Sequence, residues 1–153
     1  YNELVSLHIR LGDNITINKE FGNILYGSNM QTLDQNSLFA KYINRSIDFF
    51  KSKNVKFLIF FGGSRDENDE TDRDWVNRNL KSDDFIVMPS ENPLIDYSLI
   101  SLCDHNILSH ASSFSWWAAY TNRNKNKIMI APKDYYVIRD NNNILFDESF
   151  TLL

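Results

Sequence analysis

Two short stretches concentrate residue types that bind anions or move protons. The first is His8-Ile9-Arg10-Leu11-Gly12-Asp13, and the second is His110-Ala111-Ser112-Ser113. In an extended strand, alternate residues project to the same side, so His8 and Arg10 share a face. A guanidinium is a planar, permanently charged fork suited to a phosphate. Gly12 allows a sharp turn, and Asp13 can hold the arginine or cap the next segment of chain. An Arg–Asp ion pair at a strand end, beside a structural histidine, is the plainer reading of the same residues. Ser112 and Ser113 stand before an apolar helical run. Serine is a preferred N-cap, and a helix N-terminus turns free N–H groups and a positive dipole end toward an anion. The plainer reading there is an N-cap with no ligand.

Both stretches need a scaffold, and the chain alternates in a way that supplies one. Leu4 to Ile9 reads as a buried strand opening directly on the core, as a domain that has lost something before it would. Asn14 to Gln35 reads as a long polar loop. Ser37 to Lys51 has a helical apolar face of Leu38, Tyr42, Ile43, Ile47 and Phe50. Val55 to Phe61, VKFLIFF, is a continuous apolar run of strand length. A charged stretch leads into a short helix near Asp74 to Leu80. A strand at Phe85 to Met88, a helix at Pro93 to Leu102 with proline in its first turn, and a strand at His105 to Ser109 follow. A helix at Ser112 to Asn122 and a strand at Lys127 to Ala131 complete the series.

Alternation of this kind predicts right-handed crossovers and a mostly parallel, doubly wound α/β sheet of about five strands. In such sheets ligands bind beyond the carboxyl ends of the strands, where the strand order reverses. With the order 3-2-1-4-5, that switch lies between the first and fourth strands. The two stretches above leave those two strands, so topology and chemistry point to one crevice.

The remaining candidates read as structure. Phe114, Trp116, Trp117 and Tyr120 could stack on a base, but at helical spacing most are expected to face the sheet as core. Asp72-Arg73-Asp74 has the D-x-D form that binds a divalent ion in some glycosyltransferases. It lies in an acidic run, DENDETDRD, and is expected to be a solvated loop. His105 and His110 lack a spacing that suits zinc. Cys103 reads as a small apolar residue before the fourth strand.

Composition narrows the classes. The chain has 153 residues, 42% hydrophobic and 24% charged, which suits one globular domain. A net charge of −4 argues against nucleic acid as a partner. One cysteine excludes an internal disulfide. No apolar run is long enough to span a membrane, so any membrane association needs an anchor upstream.

At HIRLGD the chain resembles family 11 glycosyltransferases, the α-1,2-fucosyltransferases, which carry an H-x-R-R-G-D-type motif after a strand. The likeness continues through Asp96-Tyr97-Ser98-Leu99-Ile100-Ser101-Leu102-Cys103-Asp104-His105-Asn106-Ile107. It then runs through Ser113-Phe114-Ser115-Trp116-Trp117-Ala118-Ala119-Tyr120 and Ile130-Ala131-Pro132-Lys133. The resemblance implies a Rossmann-like, donor-binding carboxy-terminal half of a two-domain GT-B enzyme, without its amino-terminal acceptor half. It implies an inverting transfer of L-fucose from GDP-β-L-fucose to a glycan hydroxyl, α-1,2 to galactose, with no metal and no other cofactor. It also implies that His8 and Asp96 contact guanine, that Arg10 contacts the β-phosphate, and that Ser112 and Ser113 hold the diphosphate beside Phe114. Asp13 corresponds to the motif aspartate, and Asp13 and His8 are candidate bases by position, although the base could also lie in the other half. A non-catalytic nucleotide-sugar-binding domain would carry the same pocket.

The sequence departs from the family pattern in two places. Leu11 stands where the family has a second arginine, which leaves Arg10 as the strand's own cation with Lys19 or Lys133 to compensate. Leu11→Arg is then expected to do no harm. The usual F-S-D-D is replaced by Phe61-Gly62-Gly63-Ser64-Arg65-Asp66.

Overall fold

The computed structural model describes residues 3–11, 25–26, 36–62, 72–89, 92–134 and 146–153. Their elements run in the order β1 (Glu3–Ile9), α1 (Leu38–Phe49), β2 (Val55–Phe61), α2 (Asp72–Asn79) and β3 (Phe85–Val87). Then come α3 (Pro93–Leu102), β4 (His105–Ile107), α4 (Ser113–Thr121), β5 (Met129–Ala131) and β6 (Phe150–Leu152). The strands form one sheet in the order β3-β2-β1-β4-β5-β6. Every neighbouring pair is parallel. This is an open, Rossmann-like α/β sheet, and its strand order reverses between β1 and β4. The expected five strands are present, and β6 adds a sixth at the β5 edge.

β1 and β2 are the longest strands, and their seven residues pair from Glu3↔Val55 to Ile9↔Phe61. Val5, Leu7 and Ile9 project to one face, with Phe57, Ile59 and Phe61 of β2. There they meet Phe39, Tyr42 and Ile43 of α1 and Trp75 and Val76 of α2 in the main core. On the opposite face Phe60 packs with Ile100 of α3 and Ala118 of α4, and Tyr97, Leu99 and Phe114 cover this second cluster. Helices therefore cover both faces, as a parallel sheet requires, because its strands bury both sides.

Three of the helices start where the sequence provides an acceptor for the orphaned N–H groups of the first turn. Ser37 caps α1 by accepting from the Ala40 amide at 3.1 Å. Asn92 caps α3 by accepting from the Leu94 amide at 2.9 Å, with Pro93 following. Ser112 caps α4 by accepting from the Ser115 amide at 3.3 Å.

Leu25 and Tyr26 lie inside the expected polar loop, yet both are helical and fully buried in the main core. The rest of that stretch, including Lys19, lies outside the described residues, as do Gly12 and Asp13 before it. The expectation for α4 is also corrected. Its sheet-facing positions are Ser115, Ala118 and Ala119, small residues that let the helix lie close. Of the aromatic residues, Phe114 and Trp116 are half-buried against core clusters, while Trp117 and Tyr120 are each 53% exposed.

Candidate functional site

The carboxyl ends of β1 and β4 converge at the switch point. β1 delivers His8 and Arg10, and the turn after β4 delivers Ser112 at the start of α4. The structure joins them directly. His8 Nδ1 lies 3.4 Å from the Ser112 hydroxyl, although 104 residues separate the two. Both side chains are buried. The His8 ring also packs against Phe114, with centroids 5.5 Å apart. Phe114 in turn meets Tyr97 at 5.9 Å. Tyr97 follows Asp96 in α3, so these ring contacts link the first half of α3 to His8. Ser113 is the first residue of α4 and is exposed.

The backbone of the β4–α4 turn is strained. Ala111 has φ 48°, a left-handed conformation disfavoured for a residue with a Cβ. Such strain persists where the surroundings enforce it, and it concentrates at functional sites. Here the surroundings are three serines. The Ser109 amide donates to Ser115 Oγ at 3.2 Å. Ser115 Oγ donates to the Ser112 carbonyl at 3.2 Å, and the Ser115 amide donates to Ser112 Oγ. All three serines are buried. The first residue beyond β1 joins this knot, because the Arg10 amide donates to Ser109 Oγ at 3.1 Å.

Among the described residues, the exits of β1 and β4 carry two neutral imidazoles, His8 and His110, beside the Arg10 guanidinium. Burial, assisted by the nearby Arg10 charge, pushes the His8 pKa down to about 3. The imidazole is therefore neutral around pH 7 and acts as a hydrogen-bonding ring. His110, buried against Phe39 and Tyr42, is likewise pushed down to about 3 by burial. Arg10 is partly exposed at the mouth. The N-terminus of α4 lies on the same side of the sheet and adds the positive end of its dipole.

The D-x-D reading needs correction. Asp72 is 1% exposed and is the first residue of α2, with Asp74 in the same turn. The Asp72 carboxyl accepts from the Leu11 amide at 3.1 Å, so it is structural rather than solvated. Arg73 is exposed. It donates from Nη2 to the Pro89 carbonyl at 2.9 Å, and its guanidinium lies 4.7 Å from the Phe61 ring centroid. Leu11 is also corrected. It is fully buried in the main core, so it occupies no open phosphate position. Lys133 follows β5 at the same edge of the sheet, and its amide donates to the Leu153 carbonyl at 2.8 Å.

His105, away from the crevice, serves the core. His105 is stacked on Phe50, and its Nδ1 accepts from the Ile128 amide at 3.0 Å. Cys103 caps α3 from a buried position, and burial beside Asp104 raises its thiol to about 12. That thiol stays protonated and unreactive. Ser109, Ser115, Tyr26 and Asp72 are the site-supporting residues that sequence reasoning missed. A serine every third residue from 109 to 115 was the visible sign of the knot. The D-x-D pattern marked Asp72 only for another role, and nothing local marked Tyr26.

No solved structure matches this chain. A 62-residue stretch is 31% identical to the O-antigen biosynthesis glycosyltransferase WbnK of Escherichia coli. That stretch is 40% of this chain and only 20% of the relative. The model of glycosyl transferase family 11 matches residues 1–142, nearly the whole length, and the chain belongs to that family.

Proposed function

We propose that this domain binds the donor GDP-β-L-fucose and serves the inverting transfer of L-fucose to a glycan hydroxyl, α-1,2 to galactose. The observation that supports this reading best is the convergence of Arg10, the Ser112-capped start of α4 and the His8–Phe114 ring pair on the switch point. A nucleoside diphosphate needs those parts in that order: a flat apolar and hydrogen-bonding wall for the base, then a cation and a helix N-terminus for the phosphates. In this reading His8 and Asp96 read the guanine edge beside Phe114. Ser112 and Ser113 receive the diphosphate, and Arg10 takes the β-phosphate.

Transfer is a single displacement. The acceptor oxygen forms a bond to the anomeric carbon as the bond from that carbon to the β-phosphate oxygen breaks. The electron pair leaves with GDP. Negative charge grows on the departing phosphate, and donors already aimed there stabilise it without reorganisation. Arg10 and the α4 amides fill that role, so the reaction needs no metal. The acceptor proton goes to a base. Asp13 is the better of the two candidates, because His8 with a pKa of about 3 is a weak proton acceptor near neutrality.

The test is calorimetry with GDP, ADP and UDP. GDP binds tightest if the crevice reads guanine. Equal affinities for all three would leave a generic diphosphate site, and absence of binding would remove the donor role.

A further inference from the structure

We infer that Ser109 and Asp72 are positioning residues that fix the direction of the Arg10 side chain toward the bound phosphate. The inference rests on the donor reading above. Arg10 stands one residue beyond the last ladder residue of β1. A chain leaving a sheet has lost its strand neighbours, and its peptide groups turn to water or fray. At Arg10 side chains replace the lost neighbours. The Arg10 amide donates to Ser109 Oγ at 3.1 Å, the Leu11 amide donates to Asp72 Oδ2 at 3.1 Å, and the Tyr26 hydroxyl donates to the Arg10 carbonyl at 3.3 Å.

Those bonds hold both peptide planes that flank the Arg10 Cα. Two fixed planes fix the direction in which its Cα–Cβ bond leaves the chain. The three partners come from separate places, the exit of β4, the start of α2 and the Leu25–Tyr26 segment. They lie 99, 61 and 16 residues from their partners in sequence. Leu11 adds an apolar anchor by burying its side chain completely.

The partners are themselves held. Ser109 is fully buried and belongs to the serine knot at the start of α4. The Arg10 backbone and the α4 N-terminus are thus one hydrogen-bonded unit, so the Arg10 Cα–Cβ bond leaves from a fixed place relative to the helix start. Asp72 is 1% exposed, and burying a carboxyl group is costly unless its bonds repay it. A helix start needs no buried acid, since exposed caps serve as well. What the buried position adds is reach to the Leu11 amide. An arginine held in this way loses less freedom when it meets phosphate.

The experiment measures GDP affinity and melting temperature on the same proteins: wild type, Ser109→Ala, Asp72→Ala, Asp72→Asn, Arg10→Ala and the double variant Arg10→Ala/Asp72→Ala. Ser109→Ala and Asp72→Ala weaken GDP by roughly threefold to tenfold, the ordering cost of one long side chain. Asp72→Asn keeps an oxygen that can accept the Leu11 amide, so it restores most of the affinity. In the Arg10→Ala background Asp72→Ala costs no further affinity, because its effect passes through Arg10. A merely structural residue would lower melting temperature without this coupling. If Asp72→Ala does not fold, Ser109→Ala and Asp72→Asn carry the test. Wild-type affinity in folded Ser109→Ala overturns the inference, as does equal loss from Asp72→Ala with and without Arg10. A wild-type protein that ignores GDP overturns the donor reading instead, and this inference with it.

Discussion

The His8 imidazole and the Ser112 hydroxyl meet at 3.4 Å across the point where the sheet reverses its strand order. The contact joins the two strand exits that form the crevice, and it does so with an uncharged ring. Burial of His8 has a pH consequence. Its folded pKa, about 3, lies below the ordinary value of 6.5, and His110 is shifted in the same way. A lowered histidine pKa means that the unfolded chain takes up the proton first. The stability from neutral burial is fully present above about pH 6.5 and falls as the pH drops from there toward 3. Each histidine contributes a slope of up to about 1.4 kcal/mol per pH unit. Urea denaturation between pH 7 and 5 should show steadily declining stability, and His8→Asn should remove about half of the decline. A flat profile in the wild type would show that these rings are accessible to protons.

Ser112 carries two duties that separate experimentally. As the cap of α4 it accepts from the Ser115 amide, and loss of a serine cap costs about 0.5–2 kcal/mol. Ser112→Ala should lower stability by that amount and also weaken GDP. Ser112→Asp keeps the cap but puts negative charge at the phosphate site. It should bind GDP worst of the three, and the added carboxylate, buried where Ser112 is fully enclosed, should also lower stability. If Ser112→Asp binds GDP as well as the wild type, the diphosphate lies elsewhere.

The strain at Ala111 is measurable by relief. At φ 48° a Cβ costs about 1–2 kcal/mol, and glycine removes that cost while adding unfolded-chain entropy worth about 0.5–1 kcal/mol. Ala111→Gly should therefore stabilise the domain slightly, by less than about 1.5 kcal/mol. Ala111→Val should destabilise it clearly, because branching at Cβ worsens the same clash. Denaturant midpoints on the two variants decide the matter, and a destabilised glycine variant would contradict the strain.

The metal question turns on Asp72. Its carboxyl is buried and engaged with the Leu11 amide, which leaves the D-x-D poorly placed to present a rigid pair of carboxylates to an ion. GDP affinity measured by calorimetry should be the same in EDTA as in magnesium. A tenfold loss on chelation would restore a metal role to these acids.

These features were unequally legible in the sequence. β2 was plain because seven consecutive apolar-rich residues, VKFLIFF, suit a strand buried on both faces. α3 was plain because Pro93 marks its first turn. The crevice was legible because β–α alternation restricts the strand order, which brings His8, Arg10 and Ser112 to one place. β6 was hidden because Phe150–Leu152 is too short to show a period. Asp72 was hidden because an acidic run reads as solvent-facing, and only the tertiary approach of Leu11 gives its carboxyl a partner. Trp117 and Tyr120 misled because hydrophobicity alone does not say that alanines will take the sheet-facing side of α4.

Leu11 gives the sharpest contrast between the sequence pattern and the folded protein. By alignment to the motif it stands in an arginine's place, and an arginine there should then be harmless. In the fold its side chain is fully buried with Val5, Leu7 and Ile9 beneath α1 and α2. Truncation to alanine should leave a cavity and cost about 2–5 kcal/mol. Leu11→Met, which keeps the volume, should cost less than about 1.5 kcal/mol. Leu11→Arg must either bury a charge or push its guanidinium out through the turn that the Asp72 bond holds. A buried, unpaired charge is among the few changes that cost more than about 4 kcal/mol, against a total stability of about 5–15 kcal/mol for a domain. Leu11→Arg should therefore melt far below the wild type and bind GDP less well wherever the turn is displaced. Melting curves and GDP titration of the three variants test this ordering. A Leu11→Arg protein with wild-type stability and tighter GDP binding would show that position 11 faces the phosphate after all.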